Sequence, residues 1–290
     1  MKIRIGTRES RLALVQARMV MDAIRRFDPA LETELVPMKT SGDLSADIPL
    51  DRAGGKGLFT KELDRALQAG RVDLTVHSFK DMPTDIDPAL PVVALSKRED
   101  PRDALILPGG AAGASGPVGC SSLRRGIQLR GLPEAFATAP VRGNVPTRLE
   151  KLDRGEYSAL VLAAAGLIRL GLQDRISRYF TPDEILPAAC QGIVAVQARA
   201  GENTGYLRFF HSEASRCAAL AERAFVRALG GGCSSPVAAY AQIEGETLLL
   251  RGFYADERTG QTHKGSLRGA LKEARALGGR LAEELTAVRA

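Results

Sequence analysis

Val-Asp-Leu-Thr-Val-His-Ser-Phe-Lys-Asp-Met-Pro, residues 72–83, decides how this chain is read. Val72, Leu74 and Val76 alternate as strand residues do, and Pro83 ends the ladder because it has no N–H to donate. Between them stand His77, Ser78, Lys80 and Asp81. Open α/β sheets place their ligands at the carboxyl ends of buried strands, where polar side chains of this kind gather. A carboxylate beside a lysine there suits a substrate that is anionic overall but turns locally cationic as it reacts. An ordinary strand end with solvated charges would show the same residues, so the rest of the chain must decide.

Working outward, strand and helix patterns alternate through the first two-thirds. Strands are expected at 2–6, 34–38, 72–77, 92–95, 104–107, 117–120, 137–141 and 159–163. Leu12, Val15, Met19, Ala23 and Phe27 recur every three or four residues, and Val20 and Ile24 widen the stripe into the apolar face of a helix. Phe59, Leu63, Ala66 and Leu67 do the same and stop at Gly70, a helix-ending residue. Such alternation predicts parallel sheets with helices on both faces. From about residue 213 the pattern changes to a helix over 215–229, a glycine-rich turn, strands over 237–243, 248–254 and 262–267, and a last helix from Gly269. That order predicts a small α+β domain with an antiparallel sheet.

At 290 residues, 44% hydrophobic and 26% charged, the composition is that of an ordinary globular protein large enough for two or three domains. No apolar run approaches the roughly 20 residues that span a bilayer. Met-Lys-Ile-Arg-Ile-Gly enters a strand directly, without a signal peptide's apolar core, so a cytoplasmic location and no membrane association are expected. Cys120, Cys190, Cys217 and Cys233 form no C-x-x-C pair, and His77, His211 and His263 have no H-x-x-x-H spacing. Neither a metal site nor a disulfide framework is indicated. The net charge of +6 attracts anions, but the basic residues are scattered, Trp is absent and aromatics are 5%. Small polycarboxylate or phosphate ligands fit that better than nucleic acid.

Four segments combine small hydrogen-bonding residues with a cation: Thr7-Arg8-Glu9-Ser10 with Gln16, Gly54-Gly55-Lys56-Gly57, Cys120-Ser121-Ser122-Leu123-Arg124-Arg125, and Arg142-Gly143-Asn144-Val145-Pro146-Thr147-Arg148. Strand-to-helix turns aim free backbone N–H groups at an anion, and arginine adds two parallel donors that match a carboxylate. Each segment has a plainer explanation, since Ser10 and Ser122 fit as helix N-caps and Arg124 and Arg125 as a solvated face. Four together are harder to dismiss. A fifth segment, Leu229-Gly-Gly-Gly-Cys233-Ser-Ser-Pro236, holds a thiol in a turn free of flanking side chains. An exposed thiol in a cytoplasmic protein is reactive or modified.

The ordered set of motifs resembles the porphobilinogen deaminase family from about residue 2 to residue 255. It rests on residues 7–16, 54–59, 77–83, 98–104, 121–125, 142–149 and 231–233. The resemblance implies an α/β fold of two doubly wound, periplasmic-binding-protein-like domains plus a small α+β C-terminal domain. The expected boundaries are 1–97 with 190–212, 98–189, and 213–290. It implies that four porphobilinogen units are joined head to tail with loss of ammonia onto a covalent dipyrromethane, which a thioether holds at Cys233. By the same resemblance Asp81 is catalytic. Lys80, Ser78, Ser121, Ser122, Arg124, Arg125, Arg148 and Gly192 contact the dipyrromethane cofactor, and Arg8, Ser10, Gln16, Lys56, Arg142, Asn144, Arg169 and Gln191 contact substrate. A monomer without an obligate protein partner is expected. Asp81 would hydrogen-bond the pyrrole N–H as positive charge develops, and the cations would offset the substrate's carboxylates.

Some positions depart from the family. Cys120 replaces a common threonine, Cys190 replaces glycine or another small residue before Gln191-Gly192, Arg52 replaces a frequent lysine, and Pro146 fits as a first helical residue. A non-catalytic anion-binding module or a nucleic-acid binder would have no use for Cys233 and Asp81 together. Ehrlich's reagent separates these readings, because only a covalent dipyrromethane colours it.

Overall fold

The computed structural model describes residues 2–44, 57–109, 116–232, 235–256 and 258–287. The chain divides into two compact units, Met1–Glu99 with Ile193–Arg216, and Asp100–Gly192 with Cys217–Ala290.

The first unit is built on strands β1 (Lys2–Arg8), β2 (Glu32–Met38), β3 (Leu74–Ser78), β4 (Val92–Leu95) and β10 (Val194–Gln197), in the order β2-β1-β3-β10-β4. β1 pairs in parallel with β2 and β3, whereas β10 runs antiparallel to β3 and β4. Helix α1 (Arg11–Phe27) lays Ala17, Val20 and Ile24 on Ile3, Ile5, Leu74, Val76, Val194 and Val196. Each fully buried aliphatic side chain of this kind contributes about 1.5–3 kcal/mol. Short α2 (Ser41–Leu44) precedes α3 (Lys61–Gln68), whose Ala66 and Leu67 join Val72 and Leu90, with Val36 and Met38 against them. A Cβ on Gly6 would meet Met38 and Val72 at 3.2 Å, so the residue after Ile5 faces that second cluster. The two helices therefore cover opposite faces, as alternation along β1 requires.

In the second unit β5 (Asp103–Ile106), β6 (Val118–Gly119), β7 (Thr138–Ala139), β8 (Ala159–Ala163) and β9 (Arg178–Tyr179) order as β7-β6-β8-β5-β9. β6 is parallel to β7 and β8, and β5 is antiparallel to β8 and β9. Helices α4 (Leu123–Arg130), α5 (Val145–Asp153) and α6 (Ala164–Arg169) follow β6, β7 and β8. Both sheets are thus mixed, not purely parallel as expected. A strand's direction relative to its neighbour is set by where the chain re-enters the sheet, which local alternation does not encode.

The same unit carries the meander β11 (Val237–Glu244), β12 (Thr247–Ala255) and β13 (Thr262–Ala270). α7 (Glu213–Ala228) and α8 (Ala274–Ala287) cover it, with Phe225, Leu277, Leu281 and Leu285 packed on Leu248 and Leu250. Phe253, Ala238 and Ala255 form a separate cluster with Leu186. Gly269, expected to open the last helix, instead pairs with Leu248, and α8 starts five residues later. The alternating burial of β13 carries through it, so the ladder outlasts the local helical pattern.

α7 and α8 cross closely at Gly278, where an added Cβ would fall 2.7 Å from that of Ala224, whereas a Cβ at Gly279 meets nothing within 4 Å. Gly278→Ala is therefore expected to cost about 1–3 kcal/mol through overpacking. Gly279→Ala should instead gain about 0.4–1 kcal/mol from reduced unfolded-chain entropy. Paired thermal melts check both signs.

Candidate functional site

In the first unit, β1 and β3 end side by side and the chain turns from each into a helical segment. Ser10 caps α1, its hydroxyl accepting from the Ala13 N–H at 3.3 Å. β3 ends at Ser78 and passes into a single 3-10 turn, Phe79–Asp81. An open cleft lies there, lined by Arg8, Ser10, Gln16, Phe59, Thr60, His77, Ser78 and Asp81. Gln16 is buried on α1 and exchanges hydrogen bonds with Ser78, Nε2 to Oγ at 2.9 Å and Oγ to Oε1 at 3.2 Å. Those bonds fix the hydroxyl that faces the cleft.

Three ionisable side chains, Arg8, His77 and Asp81, line the cleft. The Arg8 guanidinium lies 4.3 Å over the Phe59 ring and pairs with Asp43, its Nε donating to Oδ2 at 3.2 Å. Burial disfavours the Asp43 charge, but donors from Arg8 and Thr40 outweigh it and hold the carboxyl below the usual range. His77 has its Nε2 3.0 Å from the Thr75 hydroxyl, and burial, with help from the Arg8 charge, pushes its pKa down to about 4. It is neutral at physiological pH. Asp81 is half-buried, and its carboxylate makes no hydrogen bond or ion pair among the described residues. An acceptor left over in a cleft whose other polar lining is a cation, hydroxyls, an amide and a neutral imidazole suits a ligand that brings its own N–H. Lys80, in the same turn, is half-buried.

The second unit gathers more of the expected residues around Asp103, which is 0% exposed. Arg124 meets one carboxylate oxygen at 2.8 Å and Arg125 the other at 2.7 Å. Gln191 adds an N–H at 2.9 Å and gives a second to the Pro101 carbonyl at 2.7 Å. Burial works against the Asp103 charge, yet the two guanidiniums overcome it and hold the carboxyl far below the normal range. One carboxylate between two guanidiniums leaves a positive charge over, which favours an anionic ligand nearby. Arg124 and Arg125 do not form a solvated face, being 3% and 7% exposed.

The remaining expected residues shape the loops. Ser121 bridges to the backbone of Val141, accepting its N–H at 2.9 Å, and Ser122 caps α4. Asn144 caps α5 by accepting from the Thr147 N–H at 3.0 Å, and Arg148 Nε donates to the Gly143 carbonyl at 2.8 Å. Pro146 falls on the second residue of α5, not the first as expected. Its missing N–H is tolerated there because the first turn has no internal acceptors for its donors. Arg142 stands just before this loop, and Arg169 ends α6 with Nη2 2.6 Å from the Gly192 carbonyl. Lys56, Arg52 and Cys233 lie outside the described residues.

Two residues are not anticipated from sequence. Asp103 stands inside the 98–104 motif with no role of its own. Glu222 of α7 is fully buried, and it accepts the N–H of Cys190 at 2.6 Å and that of Ala241 at 2.7 Å. Cys190 has φ +62, a left-handed backbone that costs a non-glycine residue about 1–2 kcal/mol.

Residues 3–205 match the family model "Porphobilinogen deaminase, dipyromethane cofactor binding domain", and residues 216–287 match "Porphobilinogen deaminase, C-terminal domain". A porphobilinogen deaminase of Ruminiclostridium josui is 59% identical over 268 residues, 92% of each chain. One of Ruminiclostridium cellulolyticum is 57% identical over 289 residues, 99% of each. Among solved structures, the methionine-binding protein MetQ covers 74% of this chain and 92% of its own at 12% identity, with a TM-score of 0.41.

Burial of neutral His77 makes stability depend on pH. The unfolded imidazole gains its proton near pH 6.5 and the folded one only near 4, so the unfolded state binds more protons between those values. Stability is therefore expected to fall by about 2 kcal/mol from pH 7 to pH 5. Urea unfolding of His77→Gln at both pH values should show that portion of the loss removed.

Proposed function

The chain belongs to the porphobilinogen deaminase family, and from that we propose that Asp81 is the catalytic residue and that the cleft at the ends of β1 and β3 receives the reacting pyrrole. The protein is a transferase, a hydroxymethylbilane synthase with a dipyrromethane cofactor. It condenses four porphobilinogen molecules head to tail with loss of ammonia and releases the linear tetrapyrrole by hydrolysis.

The chemistry of the donor set fits this ligand. Each porphobilinogen ring carries an acetate, a propionate, a pyrrole N–H and an aminomethyl group. Cations and hydroxyls suit the carboxylates, and a carboxylate without partners among the described residues suits the N–H. When bound, the dipyrromethane supplies the nucleophilic pyrrole carbon to which the first substrate ring is joined. Cys233 holds it by a thioether, because a soft thiolate captures an electrophilic methylene well.

We assign the remaining roles as follows. Lys80, Ser78, Ser121, Ser122, Arg124, Arg125, Arg148 and Gly192 hold the cofactor. Arg8, Ser10, Gln16, Lys56, Arg142, Asn144, Arg169 and Gln191 hold the acidic side chains of substrate. As the carbon–nitrogen bond of porphobilinogen breaks, ammonia takes the electron pair and the positive charge left behind spreads onto the pyrrole nitrogen. Asp81 accepts a hydrogen bond from that nitrogen and stabilises charge present only around the transition state. Preorganised groups of this kind contribute about 3 kcal/mol in a water-poor site.

The observation that carries the assignment is the Asp81 carboxylate, left without a partner among the described residues at the ligand-binding end of a central strand. We further propose three domains, 1–97 with 190–212, 98–189 and 213–290, and a cytoplasmic monomer with no obligate protein partner and no nucleic-acid ligand. Among the described residues, no helix is long and apolar enough to cross a membrane.

Asp81→Ala is expected to lower kcat by about 100-fold or more, in line with the loss of one such group. Its melting temperature should stay near that of the parent, because the carboxylate bonds to no other described residue. Steady-state assay of ammonia release with a parallel melt checks both, and near-parental turnover would refute the role. Intact-protein mass spectrometry should show the dipyrromethane increment on active enzyme and its absence from Cys233→Ser.

A further inference from the structure

The apolar face of α7 carries one carboxylate. Ala218, Ala219, Ala221 and Phe225 are buried on that face, and Glu222 lies among them with 0% exposure. A carboxylate is costly to bury unless donors meet it. Two backbone amides do so here. Ala241 of β11 donates to Oε1, a bond that stitches α7 to the meander. Cys190 donates to Oε2, and that bond reaches a turn whose closing contact runs from the Gln191 N–H to the Ala188 carbonyl at 3.0 Å.

This turn is held in a conformation that its residues resist. Cys190 sits at φ +62, where an L residue's Cβ crowds its own carbonyl, and it is 1% exposed. The next two residues are the ones that matter for the site. Gln191 donates to Asp103, the carboxylate shared by Arg124 and Arg125, and the Gly192 carbonyl receives Arg169. If Cys190 relaxed toward negative φ, the Gln191 and Gly192 groups would swing off those partners.

We propose that Glu222 is a positioning residue for the cofactor and substrate groups of the second unit: by accepting the Cys190 N–H it pins the 190–192 turn in the left-handed form that seats Gln191 on Asp103 and the Gly192 carbonyl on Arg169. The same helix runs on, within five residues of its end, to Cys233. The carboxylate thereby joins the helix leading to the cofactor-bearing thiol with the arginine cluster. This rests on the reading of Arg124, Arg125, Gln191 and Arg169 as ligand residues.

The test is a double-mutant cycle between Glu222→Met, which keeps the bulk of the side chain but accepts from neither amide, and Cys190→Gly, which adopts φ +62 without crowding. Holoenzyme is used throughout, and activity is normalised to attached dipyrromethane by intact mass. Glu222→Met is expected to lower kcat/KM by about tenfold with Cys190 present, and by less than about threefold in the Cys190→Gly background. Amide hydrogen exchange over residues 188–192 should quicken in Glu222→Met and slow again in the double variant. Equal losses of activity in both backgrounds would mean that Glu222 only ties α7 to β11, and would overturn the proposal. Should Glu222→Met not fold, Cys190→Val leaves the carboxylate in place but tolerates positive φ least. It should lose activity relative to Cys190→Gly, and equal activities would overturn the proposal. If parental enzyme carries no dipyrromethane on Cys233, the functional reading itself fails. If it carries one and the cycle shows no coupling, only this inference fails.

Discussion

A single carboxylate shared by two guanidiniums organises the second unit. Asp103 opens β5 with no exposed surface, and it receives Arg124 and Arg125 from α4 and Gln191 from a turn 88 residues further on. Such a cluster is stable only because every member is met. Removing one partner from a buried pair leaves an uncompensated charge and typically costs about 3–5 kcal/mol. The arrangement therefore fixes β5, α4 and the 190–192 turn to one another more strictly than apolar packing would. α4 is tied a second time through Gln128, whose amide accepts from the Leu186 N–H at 2.9 Å and donates to its carbonyl at 3.2 Å.

The first unit treats charge differently. Its cleft-lining cation is paired with Asp43 and stacked on Phe59, its histidine is kept uncharged by burial, and its Asp81 carboxylate meets no partner among the described residues. A ligand carboxylate that reached Arg8 would have to compete with Asp43 for the guanidinium, and would add a negative charge to the cleft. His77 offers shape and a hydrogen bond without competing with Asp81 for positive charge. Asp103 of the second unit is thus fully met, whereas Asp81 of the first has no partner among the described residues.

Much of this was legible in the residues. The alternation of Val72, Leu74 and Val76 followed by polar groups marked the end of β3, and a cleft lined by His77, Ser78 and Asp81 opens there. Ser10 and Ser122 were read both as caps and as site residues. They do cap their helices, and Ser10 also borders the cleft; Asn144, read only as a site residue, caps α5 as well. What escaped is non-local. β10 is a short run flanked by Ile193 and Ala198 in which every residue is buried, so it shows no two-residue period to read. The partner of Arg124 and Arg125 lies more than 20 residues away, and nothing in either segment names it. Glu222 did leave a signal, a charge inside the apolar stripe of an amphipathic helix, which marks a buried acceptor in search of donors.

β10 has one more consequence, for the order in which the molecule takes shape on the ribosome. It sits between β3 and β4, pairing Val194 with Ser78 and Ala195 with Leu95, so these two strands have no bond to each other before it arrives. About a hundred residues of intervening chain must be translated first, roughly 5–20 s at ordinary elongation rates. Throughout that interval the nascent amino-terminal segment presents two open strand edges, a template for unwanted pairing with other chains. Synthesis of the intervening sheet is therefore interposed within that of its predecessor, and the first sheet is completed only after the second.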